Sequence, residues 1–292
     1  MREGSSWSRR AVLGAALGGL AAPHVASAAR RAVPFTIGIL GNREPPELAL
    51  KTLRRTLQSA LARSVAFETF ARGERLVEAA ATGRLALSVH TALTYAAARI
   101  ACDCLQPLAR PVTAEGEAGL RATITVRAES DQRRMADLAG RTVLGGGNGS
   151  IPAMAARIAL RHRLRGADAP LHVGTGASED AKRFLAGAGD ALIGHEAIDR
   201  FGTMMAGKGT FAKLANGSNA EFRTIWRSGR IWHGPVALHR DHAHLAARLR
   251  DVLLTMPTGG AETIGLGLGR VSLDPAMADE YDLLPHLLRI DA

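Results

Sequence analysis

RTVLGGGNGSIPAMAARIAL, Arg141 to Leu160, reads as a short apolar strand, a loop of four glycines and an asparagine, and a helix that starts near Ser150. A strand turning through glycines into a helix is the repeating unit of an α/β domain. It is also a build that holds anions, because backbone N–H groups and the positive end of the helix dipole converge where glycines let a ligand approach. Two nucleotide signatures fail on the residues. A Walker A loop needs Lys and Ser/Thr after its last glycine, and here Gly149 is followed by Ser150 and Ile151. The dinucleotide fingerprint matches at Gly145 and Gly147 but has Ser150 where its third glycine belongs. The plain alternative is a strand-to-helix turn that holds nothing.

Working outward, strand and helix alternate at the spacing of parallel βαβ units. FTIGIL (35–40), SVAFETF (64–70) and LALSVH (85–90) are predicted strands, separated by helices near Glu47–Arg63 and over 73–83, with a further helix from Thr91. LQPLARPV (105–112) and ATITVRAE (122–129) interrupt the rhythm, which restarts at the quoted stretch and continues through LHVG (171–174) and DALIG (190–194). RTIWRSGRIWHGPVALHR (223–240) is extended again, and a helix follows near His242–Met256. The pattern predicts two α/β lobes, each a mainly parallel sheet flanked by helices, with two crossover strands as hinge. Lobe 1 is expected over 29–126 and 232–292, lobe 2 over 127–231.

The first 28 residues read as a signal peptide: Arg9 and Arg10 precede an uncharged run from Ala11 to Ala22, and Ala26-Ser27-Ala28 supplies a small-x-small cleavage pattern. The run is too short for a membrane span, which takes about 20 residues. Ser8–Leu13 is similar to a twin-arginine export signal, with Val12 where Phe is commonest. Export with cleavage near Ala28 places the protein in the periplasm, where ATP and NAD are scarce. The segment carries Arg2, Arg9, Arg10 and Glu3, a net +2, so its removal takes the charge from +10 to +8. That balance suits an anionic ligand or surface. Nucleic acid fits poorly, since the arginines are scattered and aromatics are few. Cys102 and Cys104 are either two thiols or a strained pair, and Cys-x-Cys alone is an incomplete metal set.

The stretch TVRAESDQRRMADLAGRTVLGGGNGSIPAMAARIAL resembles the periplasmic solute-binding proteins of phosphonate, phosphate and phosphite ABC importers. Asp137-Leu138-Ala139-Gly140-Arg141 matches that family's turn before the anion loop, and PLARPVTAEGEAG, GAGDALIG and RSGRIWHGPVAL fall in its order. The resemblance implies a type II periplasmic-binding-protein fold and a small anionic or zwitterionic ligand captured in an interlobe cleft for an inner-membrane permease. It implies no cofactor, and the protein is expected to be a monomer. The family's Ser-Thr-Ser-Gly loop stands here as Gly147-Asn148-Gly149-Ser150, so phosphonate as the particular ligand does not follow. A sensing module for a membrane receptor kinase and an exported enzyme on the same fold are the alternatives.

Asn148, Gly149 and Ser150 are the candidate oxyanion contacts of lobe 2, although Asn or Ser at such a position also caps a helix. Thr91 offers the same geometry in lobe 1. His90 is expected at a cleft edge, Tyr95 at the place of a family tyrosine, and His195 and Glu196 at the end of a lobe-2 strand. Glu196 opposes a purely anionic ligand unless that ligand carries an amine or a proton. HRDHAH (239–244) does not put its histidines on one helix face, and no metal is expected there. No nucleophile motif is present.

Overall fold

Chain order gives strands β1 (Phe35–Leu40), β2 (Val65–Phe70), β3 (Leu87–Val89) and β4 (Leu105–Thr113), interleaved with helices α1 (Glu47–Leu61), α2 (Gly73–Ala81) and α3 (Ala92–Ala101). The structure is a computed structural model and describes residues 33–41, 47–145, 150–164, 171–172, 176–210, 212 and 221–291. Residues 1–28, expected above to be a signal peptide, and Asn148 and Gly149 lie outside the described residues. There follow β5 (Gly119–Arg127), β6 (Val143–Gly145), α4 (Ile151–Leu164), β7 (Leu171–His172), α5 (Ala177–Leu185), β8 (Ala191–Ile198), β9 (Met204–Gly209), β10 (Phe222–Arg227) and β11 (Ile231–Trp232). The chain ends with β12 (Val236–His239), α6 (Ala246–Leu254), α7 (Thr258–Ile264), β13 (Val271–Pro275) and α8 (Leu283–Asp291).

These strands form two sheets, in the orders β13-β4-β12-β3-β1-β2 and β10-β5-β8-β6-β7, with β11 on β5 and β9 on β8. Each sheet keeps a parallel trio, β2-β1-β3 and β7-β6-β8. The other pairings are antiparallel, so the sheets are mixed where mainly parallel ones were expected. The reason is connectivity: β5 and β12 arrive from the opposite sheet through short connections, without the long crossover helix that parallel pairing needs. All of β5 pairs in the second sheet, from Gly119 opposite Ile198 to Val126 opposite Ala191. The chain therefore passes between sheets at 114–118, earlier than the Val126 expected, and returns at 233–235.

Packing follows from the periodicity. Leu53, Leu57 and Leu61 recur every four residues on α1 and press on Phe35, Ile37 and Ile39 of β1, with Leu249 and Leu253 of α6 in the same cluster. Leu76, Ala79 and Ala80 of α2 and Tyr95 and Ala98 of α3 cover the other face. Both faces are thereby buried, as a parallel trio requires. In the second sheet Ala156 and Leu160 of α4 pack on Ile124, Val126 and Ile193. Gly145 is bare because a β-carbon there would overlap Ile193, so the first glycine of the quoted loop has a packing role.

A separate apolar cluster joins the two sheets' elements: Ala92 and Ala96 of α3, Ala155 of α4, Ala122, Ile231 and Leu284 of α8. The crossovers are tied by a backbone bond from His233 N–H to the Ala118 carbonyl (2.9 Å). Cys102 and Cys104 form a disulfide just beyond α3. Among the described residues no helix is long and apolar enough to cross a membrane.

Candidate functional site

The starts of α3 and α4 meet at one cavity of about 190 Å3 between the sheets. On the α3 side it is lined by His90, Thr91 and Ala92, and on the α4 side by Ile151. Its remaining walls are Pro111 and Leu120 beside the first crossover, Ile231 to Gly234 on the second, and residues of the α7 end and following turn, Ile264 to Leu266 and Leu268. Most of these side chains are hydrocarbon. Among the described lining residues there is no lysine, arginine or carboxylate.

Thr91 caps α3 in a closed box: Thr94 N–H donates to Thr91 Oγ1 (3.2 Å) and Thr91 N–H donates to Thr94 Oγ1 (2.9 Å). Ser150 caps α4 without a box, taking the Ala153 N–H on Oγ (3.2 Å) and the Met154 N–H on its carbonyl (3.0 Å). Each hydroxyl oxygen thereby accepts one helix N–H, and the Ser150 O–H is still able to donate. The first-turn amides left over are those of Ala92 and Leu93 on α3 and of Ile151 on α4, where Pro152 has no N–H, with the positive dipole ends behind them.

His90 is buried at 1% exposure, with Nε2 2.8 Å from Ser88 Oγ and Nδ1 3.3 Å from Thr94 Oγ1. Burial pushes its pKa down to about 3, so at neutral pH it is an uncharged ring. Tyr95, one turn into α3, does not line the cavity. Its ring is fully buried edge-on to Tyr281 (5.0 Å), on the core face it shares with Ala98 and away from the face of Ala92 and Ala96.

His195 and Glu196 do not line the cavity either. The expected strand end at Gly194 is passed: β8 runs on to Ile198, so both residues sit inside the strand, opposite Ala122 and Arg121. His195 Nδ1 lies 3.2 Å from Thr210 Oγ1, and Glu196, at 5% exposure, accepts from Arg227 Nε at 2.8 and 3.1 Å. The carboxylate that opposed an anionic ligand is therefore matched by a guanidinium on β10.

His233 was not singled out from the sequence, although it lies in the RSGRIWHGPVAL stretch. Its Nδ1 sits 3.1 Å from the Pro111 carbonyl, which can only accept, so that nitrogen carries a proton. Nε2 lies 3.7 Å from Glu117 Oε1 on the other crossover, and this contact is the main cause holding the Glu117 carboxyl below its ordinary range. Trp232 beside it is held from behind by Arg110, stacked 4.1 Å from its ring and paired with Glu280 at 2.5 Å. Among the described residues no group of three or more His, Cys, Asp or Glu is placed to hold a metal.

The two sheets and the two helix starts thus meet at one cavity. Residues 37–281 match the family of phosphonate periplasmic substrate-binding proteins of ABC transporters, and the chain belongs to that family. Its role is to bind a solute, and the family is periplasmic. Among solved structures, XAC2383 from Xanthomonas citri bound to chloride ion aligns with a TM-score of 0.56 at 11% identity, over 88% of this chain and 98% of that one. The same protein bound to ATP aligns with a TM-score of 0.56 at 12% identity, over the same shares. PhnD1 from Prochlorococcus marinus in complex with methylphosphonate aligns with a TM-score of 0.47 at 12% identity, over 87% and 97%. No curated protein sequence matches the chain. At these identities the likeness to XAC2383 concerns the fold, that of type II periplasmic binding proteins.

Proposed function

We propose that the protein captures a small oxyanion bearing an apolar portion in the interlobe cavity and hands it to an ABC permease in the inner membrane. The observation that carries this reading is the lining: two helix starts at one end and hydrocarbon walls elsewhere, with His90 neutral. An oxyanion head is served by amide donors and dipole ends. A hydrocarbon body gains roughly 25 cal/mol per Å2 of apolar surface removed from water. An aminoalkyl ligand would bring an ammonium group that no described lining residue can pair. Asn148 and Gly149 belong to this proposal as further amide donors next to Ser150. In the same reading the chain is exported by the twin-arginine route, is cleaved after Ala28, and works as a monomer. It closes on its ligand because the closed form makes contacts with both lobes that the open form does not.

A thermal-shift series with inorganic phosphate, sulfate, methylphosphonate, phenylphosphonate, an alkylsulfonate and aminoethylphosphonate tests the reading. A ligand at about 100 times its Kd adds about 2.7 kcal/mol of apparent stability. The expected order puts the phenyl and alkyl compounds above phosphate and the amino compound. A flat response to all oxyanions, or aminoethylphosphonate as the strongest, would overturn it.

A further inference from the structure

At the C-terminal end of α4 a second concavity, of about 460 Å3, shares no lining residue with the interlobe cavity. Its polar rim is Arg134, His162 and Arg163, and its floor and wall include Met135, Ile225 and Trp226. That volume lies within the range of small-molecule sites. We infer that this groove is a second anion site, which takes the phosphate of an organic phosphate ester and packs the ester's organic portion on the Trp226 indole.

Four observations carry the inference. First, the basic groups come from separate elements: Arg134 stands at the start of a short 3-10 turn over Met135–Leu138, while His162 and Arg163 lie in the last turn of α4. Basic residues at a helix C-terminus are ordinary by themselves; a guanidinium converging from another element is what makes a site. Second, Arg134, whose side chain is 80% exposed, is oriented through its Nε alone. Asp137 Oδ1 accepts from Arg134 Nε (3.2 Å), and Oδ2 accepts the backbone N–H groups of Arg133 (2.9 Å) and Arg134 (3.1 Å). These donors keep the Asp137 carboxyl below its ordinary range, with the Arg133 N–H the largest cause. Asp137 is thereby matched locally, and the two Nη groups of Arg134 remain for a ligand.

Third, the register of β10 on β5 shifts between Thr224 and Trp226. A bulge of this kind re-aims side chains and is common beside sites. Here Ile225 and Trp226, consecutive in the strand, both reach the groove. Trp226 also packs into the apolar clusters on either side, which fixes its ring. Fourth, residues 119–232 hold 17 Lys and Arg against 10 Asp and Glu, a net +7, whereas the rest of the chain from Ala29 on carries +1. The lobe that bears the groove thus carries nearly all of the excess positive charge, and Arg is the side chain suited to phosphate.

The chain has three tryptophans, Trp7, Trp226 and Trp232. In the full chain with Trp7→Phe and Trp232→Phe, fluorescence reports the groove; with Trp7→Phe and Trp226→Phe, it reports the interlobe cavity. Phenyl phosphate and glycerol 3-phosphate are titrated into both, alongside vesicles of phosphatidylcholine with and without phosphatidylglycerol. The expected result is a saturable change in Trp226 emission that weakens with salt. Adding Arg134→Ala and Arg163→Ala should weaken it at least about tenfold, since hydrogen bonds to charged groups are lost. The Trp232 response to phenylphosphonate should stay within about twofold in the same charge variant. A response to the soluble esters assigns a free phosphate ester; a response confined to the phosphatidylglycerol vesicles assigns a lipid headgroup as its source. Titrations that are flat for every probe, or unchanged by the two arginine substitutions, overturn the inference. Trp226 shares an apolar cluster with Leu120, Ile151 and Ile231 of the cavity wall, so it is the arginine pair that separates the sites: loss of the Trp226 response in the charge variant with the Trp232 response kept leaves the interlobe reading standing.

Discussion

Gly234 lies so close to the backbone of Thr91 that a β-carbon on it would overlap the Thr91 carbonyl carbon and the carbonyl oxygen of His90. The returning crossover is thus pressed onto the cap of α3, and the hinge, the helix start and the cavity wall are one piece of structure.

Gly234→Ala should therefore cost stability and binding together. The obstructing atoms are backbone, which cannot rotate away, and overpacking of this kind costs about 1–3 kcal/mol. Gly259 in α7 is the control: nothing lies within 4 Å of its would-be β-carbon, so Gly259→Ala should stabilise by about 0.5–1 kcal/mol. Urea unfolding of both variants checks the pair. Equal effects of the two substitutions would contradict the crowding at Gly234.

Thr91→Ala removes the half of the capping box that the Thr91 hydroxyl makes, its bond from the Thr94 N–H and its contact with the Thr94 hydroxyl, while the bond from the residue-91 backbone N–H to Thr94 Oγ1 stays. A loss of about 0.5–2 kcal/mol is expected, while Thr91→Ser should recover most of it. Urea midpoints of the two variants measure this, and an alanine variant as stable as the parent would count against the box.

Much of this was legible in the sequence, and the reasons differ by residue. Helix α1 was readable from leucines four apart, and Thr91 from its place between a strand and an apolar helix. Tyr95 was not, because a core face and a ligand face have the same spacing on α3; only packing against Tyr281 separates them. The sheet boundary was misplaced because ATITV alternates equally well in either sheet, and only pairing with β8 assigns it. The cavity walls were the least legible part. Leu120, Ile231 and Leu266 come from three distant stretches, and nothing local to any of them signals that they meet.

His90 gives a pH dependence whose sign follows from burial. Its folded pKa is lowered from 6.5 to about 3, so the unfolded chain takes up a proton first as pH falls. The stability contribution of the neutral ring is complete above 6.5 and is lost between 6.5 and about 3. At about pH 4.5 the loss relative to neutral pH is roughly 2–3 kcal/mol. His90→Gln keeps a hydrogen-bonding side chain without that titration, so the variant should lose less stability than the parent between about pH 7 and about pH 4.5. Chemical denaturation at the two pH values decides it; identical losses in both proteins would mean that His90 is not held neutral.

Arg227 and Glu196 separate a structural ion pair from a ligand contact. The carboxylate side chain is 7% exposed and the guanidinium 47%, so water can replace only part of what Arg227 supplies. Arg227→Ala should cost about 1–2 kcal/mol, less than a fully buried pair because its own side is solvated. Adding Glu196→Gln should restore part of that loss, since the charge left behind is then removed. Neither residue lines the interlobe cavity, nor does His195. His195→Ala and the Arg227→Ala, Glu196→Gln pair should accordingly leave the affinity for phenylphosphonate within about twofold. Calorimetric titration reads affinity and urea unfolding reads stability. A tenfold loss of affinity at His195 with unchanged stability would move the solute toward β8 and away from the starts of α3 and α4.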